Sequence, residues 1–328
     1  MRIARASRVV ATAALGILPL ALASACGSSN SSTTPGSSGS KPEKTSLVVG
    51  AVPAETAAAL YLAQERDIFA AHGLHVTVKP ITSTLEIVPD MVHGSIDIAS
   101  GQIPSFITAQ AQGIGSFHLL ASGLTLTPGV NEIVALKSSG ITNGSELRGK
   151  TIAENALVGD AALLVDSELA IYGTKPSQVT AKTIPFPQMG SALAAHRIDA
   201  AYCTEPYCTQ MEQKYGARVV ADVDEGEAQG LLISGYTVTE AWLKKYPHTA
   251  AAFAASIIAA SQVADTDLAA LQHALIANLH IDPTVADVMA TGNFPTSVDL
   301  VKIRQVADLM QKYGELKPGF DAAVLTRS

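Results

Sequence analysis

The chain has 328 residues, 48% of them hydrophobic and 16% charged, with a formal net charge of −7. That length is ample for a packed core and suggests two domains. The negative balance argues against a nucleic-acid partner, which needs basic patches, and an aromatic content of 5% disfavours an extended stacking surface.

Residues 1–25 read as a secretory signal. Arg2, Arg5 and Arg8 form its basic start, residues 9–23 its short apolar centre, and Ala23-Ser24-Ala25 the small residues before Cys26. Leu22-Ala23-Ser24-Ala25-Cys26 resembles a bacterial lipobox, with Ala23 where such boxes prefer Leu or Val. The resemblance implies a palmitate-type lipid on Cys26 and an extracytoplasmic chain anchored to the cell membrane. Plain secretion with cleavage after Ala25 is the alternative. Residues 26–45 are rich in Ser, Thr, Gly and Pro without apolar periodicity, a flexible tether that spans about 25 Å as a coil. In an oxidising compartment Cys203 and Cys208 either pair across the turn at Pro206 or remain two buried thiols. Two thiols without a nearby His supply half a tetrahedral set, so no metal site is expected.

Strands and helices then alternate. Residues 47–52 read as a buried strand ending at Pro53. Ala57, Leu60, Tyr61 and Ile68 share one face of a helix over residues 55–69, which Gly73 stops. Leu74, Val76 and Val78 alternate as a second strand. Thr82-Ser83-Thr84 can cap a helix that ends near Gly94. A strand follows at 96–99, then a helix opened by Ser100 to Pro104 and ended at Gly113, then a strand at 117–122. Residues 124–130 suit a crossing to a second lobe. Strands are expected there at 132–136, 151–153, 179–184 and 217–221, with helices after Asn155 to Tyr172, over 189–195 and up to Tyr215. Residues 230–236 run back toward the first lobe, and beyond Thr239 the chain is helical. Residues 249–264 carry no charge, but the run is short, Ala-rich and interrupted by Ser256, Ser261 and Gln262, which excludes a membrane span. Asp282-Pro283 starts a helix. Thr296 with Asp299 suggests a capping box before the apolar stripe Leu300, Ile303, Ala307 and Met310, which Gly314 terminates. The alternation predicts an α/β architecture with mainly parallel sheets covered on both faces. The lobes are expected at 46–130 and 131–234, with residues 235–328 returning to the first.

One stretch has an echo. His93-Gly-Ser-Ile-Asp-Ile-Ala-Ser100 anticipates His196-Arg-Ile-Asp-Ala-Ala-Tyr-Cys-Thr-Glu-Pro-Tyr207. In both, a helical run ends and Ile-Asp opens a short apolar strand, so Asp97 and Asp199 mark strand starts in two similar units. Together with Tyr61 to Phe69, His72-Gly73-Leu74, Glu146 to Ala153 and Thr204-Glu205-Pro206, in that order, the chain resembles ABC-transporter substrate-binding proteins of the nitrate/sulfonate/taurine and thiamine-pyrimidine type over roughly residues 46–320. The resemblance implies a type II periplasmic-binding fold, two α/β lobes joined by two crossing segments, and a monomer that closes on a small molecule and hands it to a membrane ABC permease. No catalytic group, cofactor or metal is implied.

Open α/β sheets bind ligands beyond the carboxyl ends of their strands. By that rule the first lobe offers Pro53, Ala54, Glu55, Ser83, Thr84 and Gln102, and the second Asn155, Gly159, Met189, Glu205 and Tyr207. Thr82 to Thr84 serve equally as a helix cap, Asn155 as turn chemistry and Tyr207 as a rim residue. No Lys or Arg stands in these loops, while Glu55 and Glu205 oppose an anion. A nitrogen heterocycle or a zwitterion such as taurine suits them better than a bare sulfonate. Two further readings remain: a pyrimidine-synthesis-like enzyme of the same fold, which needs His and clustered Cys with iron, and a ligand-sensing surface lipoprotein not coupled to transport.

Overall fold

The computed structural model describes residues 41–326. The expected signal, Cys26 and most of the expected tether lie outside the described residues. The last of that tether is docked. Glu43 accepts hydrogen bonds from the His248 and Thr249 amides, at 3.1 and 2.9 Å.

The first lobe starts with β1 (Ser46–Ala51), α1 (Ala58–Glu65), α2 (Ile68–Ala71), β2 (His75–Pro80), α3 (Val88–His93), β3 (Ile98–Gln102), α4 (Ile103–Ala111) and β4 (Phe117–Ser122). The second holds β5 (Asn131–Leu136), β6 (Thr151–Glu154), α5 (Asp160–Ile171), β7 (Thr180–Thr183), α6 (Phe186–Ala194), β8 (Ala200–Thr204), α7 (Tyr207–Tyr215) and β9 (Ala217–Asp222). The chain returns as β10 (Ser234–Thr239), followed by α8 (Glu240–Lys245), α9 (Pro247–Thr266), α10 (Leu268–Leu279), α11 (Pro283–Ala286) and α12 (Leu300–Lys312).

Each lobe has its own five-stranded sheet, ordered β2-β1-β3-β10-β4 and β7-β6-β8-β5-β9. Within each, four strands run in one direction, and the fifth, the one that has just crossed from the other lobe, is inserted antiparallel between two of them. The two crossings are zipped together. Leu126 N–H donates to Leu231 O at 2.9 Å, and Ile233 N–H donates to Leu124 O at 3.0 Å. A third segment joins them, with Thr125 N–H donating to Asn293 O at 2.9 Å and Asn293 N–H returning to Thr125 O at 3.2 Å.

The Ile-Asp echo is a backbone clamp used twice. Val48 N–H donates to Asp97 Oδ2 at 2.9 Å while Asp97 N–H donates to Val48 O at 2.9 Å. In the second lobe Thr151 N–H donates to Asp199 Oδ2 at 2.8 Å and Asp199 N–H to Thr151 O at 2.9 Å. Each Asp thereby ties its strand's entry to the neighbouring parallel strand. Asp97 is buried, and it also accepts from Trp242 Nε1 at 2.8 Å and pairs with Lys44. Asp199 is exposed and carries only the clamp.

Several boundaries differ from the expectation. The strand expected at 96–99 runs from Ile98 to Gln102, because the clamp holds Ile96 and Asp97 ahead of the ladder. The helix expected over 55–69 is broken where Asp67 turns left-handed, φ 54°. Thr84 does not cap the helix after it; its hydroxyl accepts the Gln102 N–H at 2.9 Å. The capping box at Thr296 is replaced by a simple cap: Asp299 accepts from Val301 N–H at 2.8 Å. The helix expected at 189–195 starts earlier, at Phe186 with Pro187 in its first turn. The charge-free run lies inside α9, which buries Phe253, Ile257, Ala260 and Ala264 on one face. Among the described residues no helix is long and apolar enough to cross a membrane.

The two clamps differ in burial, so their loss should differ in cost. Asp97→Ala strands the Val48 amide and the Trp242 indole and should destabilise by about 3 kcal/mol. Asp199→Ala opens onto water and should cost about 1 kcal/mol. Urea unfolding of both variants checks this, and equal losses would contradict it.

Candidate functional site

The loops at the carboxyl ends of β1, β3, β6 and β8 meet between the lobes. Main-chain groups make part of the contact. Glu55 N–H donates to Glu205 O at 3.2 Å, and Tyr207 Oη donates to Pro53 O at 2.8 Å. Gly159, just ahead of α5, faces Ser105 at the start of α4. Its φ is +85°, and a Cβ there would lie 2.7 Å from Ser105 Oγ, so only glycine suits this close approach.

Glu55 is the central side chain. It is 0% exposed. Its Oε1 accepts the Gly292 N–H at 2.8 Å, and its Oε2 has no partner. Burial pushes its pKa up to about 8, against the Gly292 hydrogen bond and with help from Glu205 and Asp224. Glu205 follows β8, its peptide bond to Pro206 is cis, and its N–H donates to Val130 O at 2.9 Å. Its carboxylate accepts from Thr209 Oγ1 at 2.7 Å, so it turns onto α7, and burial pushes its pKa up to about 7. Asp224 accepts from Asn131 N–H at 2.6 Å and from Asn131 Nδ2 at 2.9 Å, and burial pushes its pKa up to about 8. Glu154 ends β6, and burial pushes it up to about 8 as well.

Other buried polar atoms around the junction lack partners. They are Gln102 Oε1, Thr125 Oγ1, Asn155 Oδ1 and Thr204 Oγ1. Buried polar groups are nearly always satisfied, so orphans drawn from strand ends and a crossing segment point to a binding region. Between the lobes lies a cavity of about 240 Å³ walled by both. Pro53, Ile81 and Thr82 face it from the first, Phe186 and Tyr207 from the second. Phe186 and Tyr207 stack at 5.4 Å between centroids, with 15° between their planes.

The residues expected from sequence divide accordingly. Pro53 and Tyr207 wall the cavity, while Glu55, Gln102 and Asn155 bring unpartnered oxygens. Thr84 is spent on the Gln102 amide, and Met189 is fully buried in α6. Ser83 is half-buried, with no hydrogen bond found for it. Sequence reasoning missed Phe186, Thr125, Glu154 and Asp224. Pro185-Phe-Pro187 at a strand's carboxyl end was the available signal for Phe186. Cys203 and Cys208 form a disulfide, with 5.4 Å between their Cα atoms, closing the loop that carries Thr204, Glu205 and Tyr207. Among the described residues no group of three or more His, Cys, Asp or Glu side chains is arranged to hold a metal.

Comparison with known proteins fits this geometry. A family model described as the NMT1-like family matches residues 40–279. The chain belongs to that family. The bicarbonate transport ATP-binding protein CmpC of Synechococcus elongatus is 30% identical over 237 residues, 67% of this chain and 35% of that one. The chain thus spans about a third of the length of the curated relatives it matches. Among solved structures, the alkanesulfonate-binding protein SsuA from Xanthomonas axonopodis pv. citri, bound to MOPS, is 19% identical with a TM-score of 0.75, covering 87% of this chain and 99% of its own. The periplasmic nitrate-binding protein NrtA from Synechocystis PCC 6803 is 16% identical with a TM-score of 0.73, covering 86% and 85%. The desulfurization enzyme DSZB is 16% identical with a TM-score of 0.64, covering 86% and 95%. At these identities the structures show the fold, that of periplasmic binding proteins, as the sequence pattern implied.

Two outcomes follow from the junction. A carboxyl group whose pKa rises on folding stabilises the fold at low pH, and that contribution is lost as pH rises. For Glu55, Glu154 and Asp224 the loss runs from about pH 4, the unfolded range, to about 8, their folded values. The urea midpoint should therefore be higher at pH 5.5 than at pH 8.5, and Glu55→Gln should narrow that gap; an unchanged gap would count against it. The disulfide closes a short loop, so replacing both cysteines by Ser should cost about 2 kcal/mol, measurable by the same titration. A cost near zero would show that the loop is held by its packing alone.

Proposed function

We propose that this chain is the extracytoplasmic solute receptor of an ABC importer, which captures a small organic molecule between its lobes and delivers it to a membrane permease. One observation carries the reading: where the lobes meet, through Glu55 with Glu205 and Tyr207 with Pro53, they wall a cavity from both sides. Family membership and the fold support it, and so do the names of the relatives, which speak of bicarbonate transport and of alkanesulfonate and nitrate binding. Two lobes on paired crossings can change their relative angle, and a ligand touching both favours the closed arrangement by its extra contacts. The signal at residues 1–25 and the lipid expected on Cys26 would hold such a receptor, as a monomer, at the outer face of the cell membrane. Within the ligand range of these families, sulfonates and taurine at one end and pyrimidine-type nitrogen compounds at the other, the acidic junction favours the nitrogen compounds.

Thermal unfolding of the purified protein against a panel tests the receptor reading. The panel holds taurine, alkanesulfonates, nitrate, bicarbonate, an aminopyrimidine alcohol and simple amines. A compound at a thousand times its dissociation constant should stabilise by about 4 kcal/mol. If no compound moves the midpoint, the receptor reading loses its support.

A further inference from the structure

One loop of the second lobe carries hydrogen bonds that join the lobes beside the cavity. It runs from the end of β8 into the start of α7. The Glu205 carbonyl accepts the Glu55 N–H at 3.2 Å, and Tyr207 Oη donates to Pro53 O at 2.8 Å. The Glu205 carboxylate also faces the amide of Ala290, in the segment that returns to the first lobe. Tyr207 walls the cavity together with Pro53. Toward the other end of α7, Gln213 Nε2 donates to Thr284 O of α11 at 3.3 Å. The seating of α7 therefore decides whether these groups reach the first lobe.

A single covalent bond fixes that seating. Cys203 lies in β8, an inner strand of the second sheet, and Cys208 lies in the first turn of α7, next to Tyr207. Their disulfide leaves 5.4 Å between the Cα atoms, and both side chains are 0% exposed. As thiols, the two sulfurs would need the room of unbonded atoms. Interiors are close-packed, and β8 is held on both sides, by β5 and by β6. The room has to come from α7, which would move off the strand and take Tyr207 with it. An O–H···O bond spans about 2.5–3.0 Å, so a shift of about 1 Å at Tyr207 is enough to break its reach to Pro53.

We propose, resting on the receptor reading, that the Cys203–Cys208 disulfide is the positioning element for lobe closure. It seats α7 on β8 so that Glu205 and Tyr207 reach the first lobe, and the chain closes on its ligand only when oxidised. Forming the bond removes two electrons and two protons from the thiols. A small disulfide such as oxidised glutathione accepts them and leaves as two thiols. A chain still in reducing surroundings folds but stays open. Once formed, the bond is buried away from reductants in solution, so competence to close is set once rather than switched back and forth.

Hydrogen exchange at single-amide resolution tests this without a ligand. Oxidised wild-type protein is compared with the Cys203→Ser/Cys208→Ser variant and with wild-type protein refolded and held in dithiothreitol. The Glu55 amide, in the first lobe and distant in sequence from the disulfide, reports contact between the lobes. The Val48 and Thr151 amides, each bonded within its own lobe, report the fold. Exchange at Glu55 should rise about tenfold or more in both forms that lack the bond, while Val48 and Thr151 stay within about twofold. No change at Glu55 overturns the proposal, because the loop then keeps its place without the bond. An equal rise at all three amides, or failure of both forms to fold, also overturns it, because the bond then supports the whole fold rather than closure. Either result leaves the receptor reading to be decided by the ligand panel.

Discussion

The lobe junction depends on carboxylates that have been taken out of water. Burial penalises the charged form of each, and the structure supplies partial compensation: the Gly292 amide for Glu55, Thr209 and the Ala290 amide for Glu205, Asn131 and the Val130 amide for Asp224. Lobe-to-lobe contact at their level uses main-chain carbonyls as acceptors. The Glu55 amide reaches the Glu205 carbonyl, and Tyr207 reaches the Pro53 carbonyl. Side-chain oxygens that might have been consumed in joining the lobes therefore remain uncommitted, which makes the junction suited to binding as well as to closure.

The crossings limit how the lobes can move. They bond to each other, and Asn293 bonds to Thr125 beside them. A Cβ on Gly292 would lie 2.7 Å from Leu124 Cγ and 2.9 Å from Thr125 O, so the third segment lies tight against the first. Because β5 and β10 run from the crossings directly into their sheets, rotation has to be absorbed within the few residues at the zipped stretch. Glu55, through Gly292, is bonded to that stretch. Glu55 is therefore tied to the pivot, where a small displacement corresponds to a large movement of the lobe edges.

Much of this was legible in the sequence because it is periodic or local. The repeated Ile-Asp gave away two like units, since an Asp at a strand's start bonds a backbone amide one strand away in both. Asp282 with Pro283 and Gly314 act through their own turn and were read correctly. What failed depended on distant partners. Thr84 looked like a cap until the Gln102 amide came within 2.9 Å of it. Residues 96 and 97 looked like strand until the clamp with Val48 displaced its start. In the candidate region, Glu55 and Tyr207 were singled out because they lie a few residues beyond strand ends. Asp224 and Glu154 were not. An acidic residue at a strand's end or in the loop beyond reads as solvated, and only the folded chain shows it buried.

The same carboxylates bear on how closure is controlled. Bringing like charges from two lobes into a water-poor junction is opposed unless positive charge accompanies them. A proton can provide it, as the raised pKa of Glu55 indicates. A ligand shifts an open–closed equilibrium only by what it gains in one state over the other. Here the gain has two separable parts, charge compensation at Glu55 and apolar contact with the second lobe. A proton on Glu55 provides the first alone; a molecule in the cavity walled by Pro53, Phe186 and Tyr207 provides the second, because it touches both lobes.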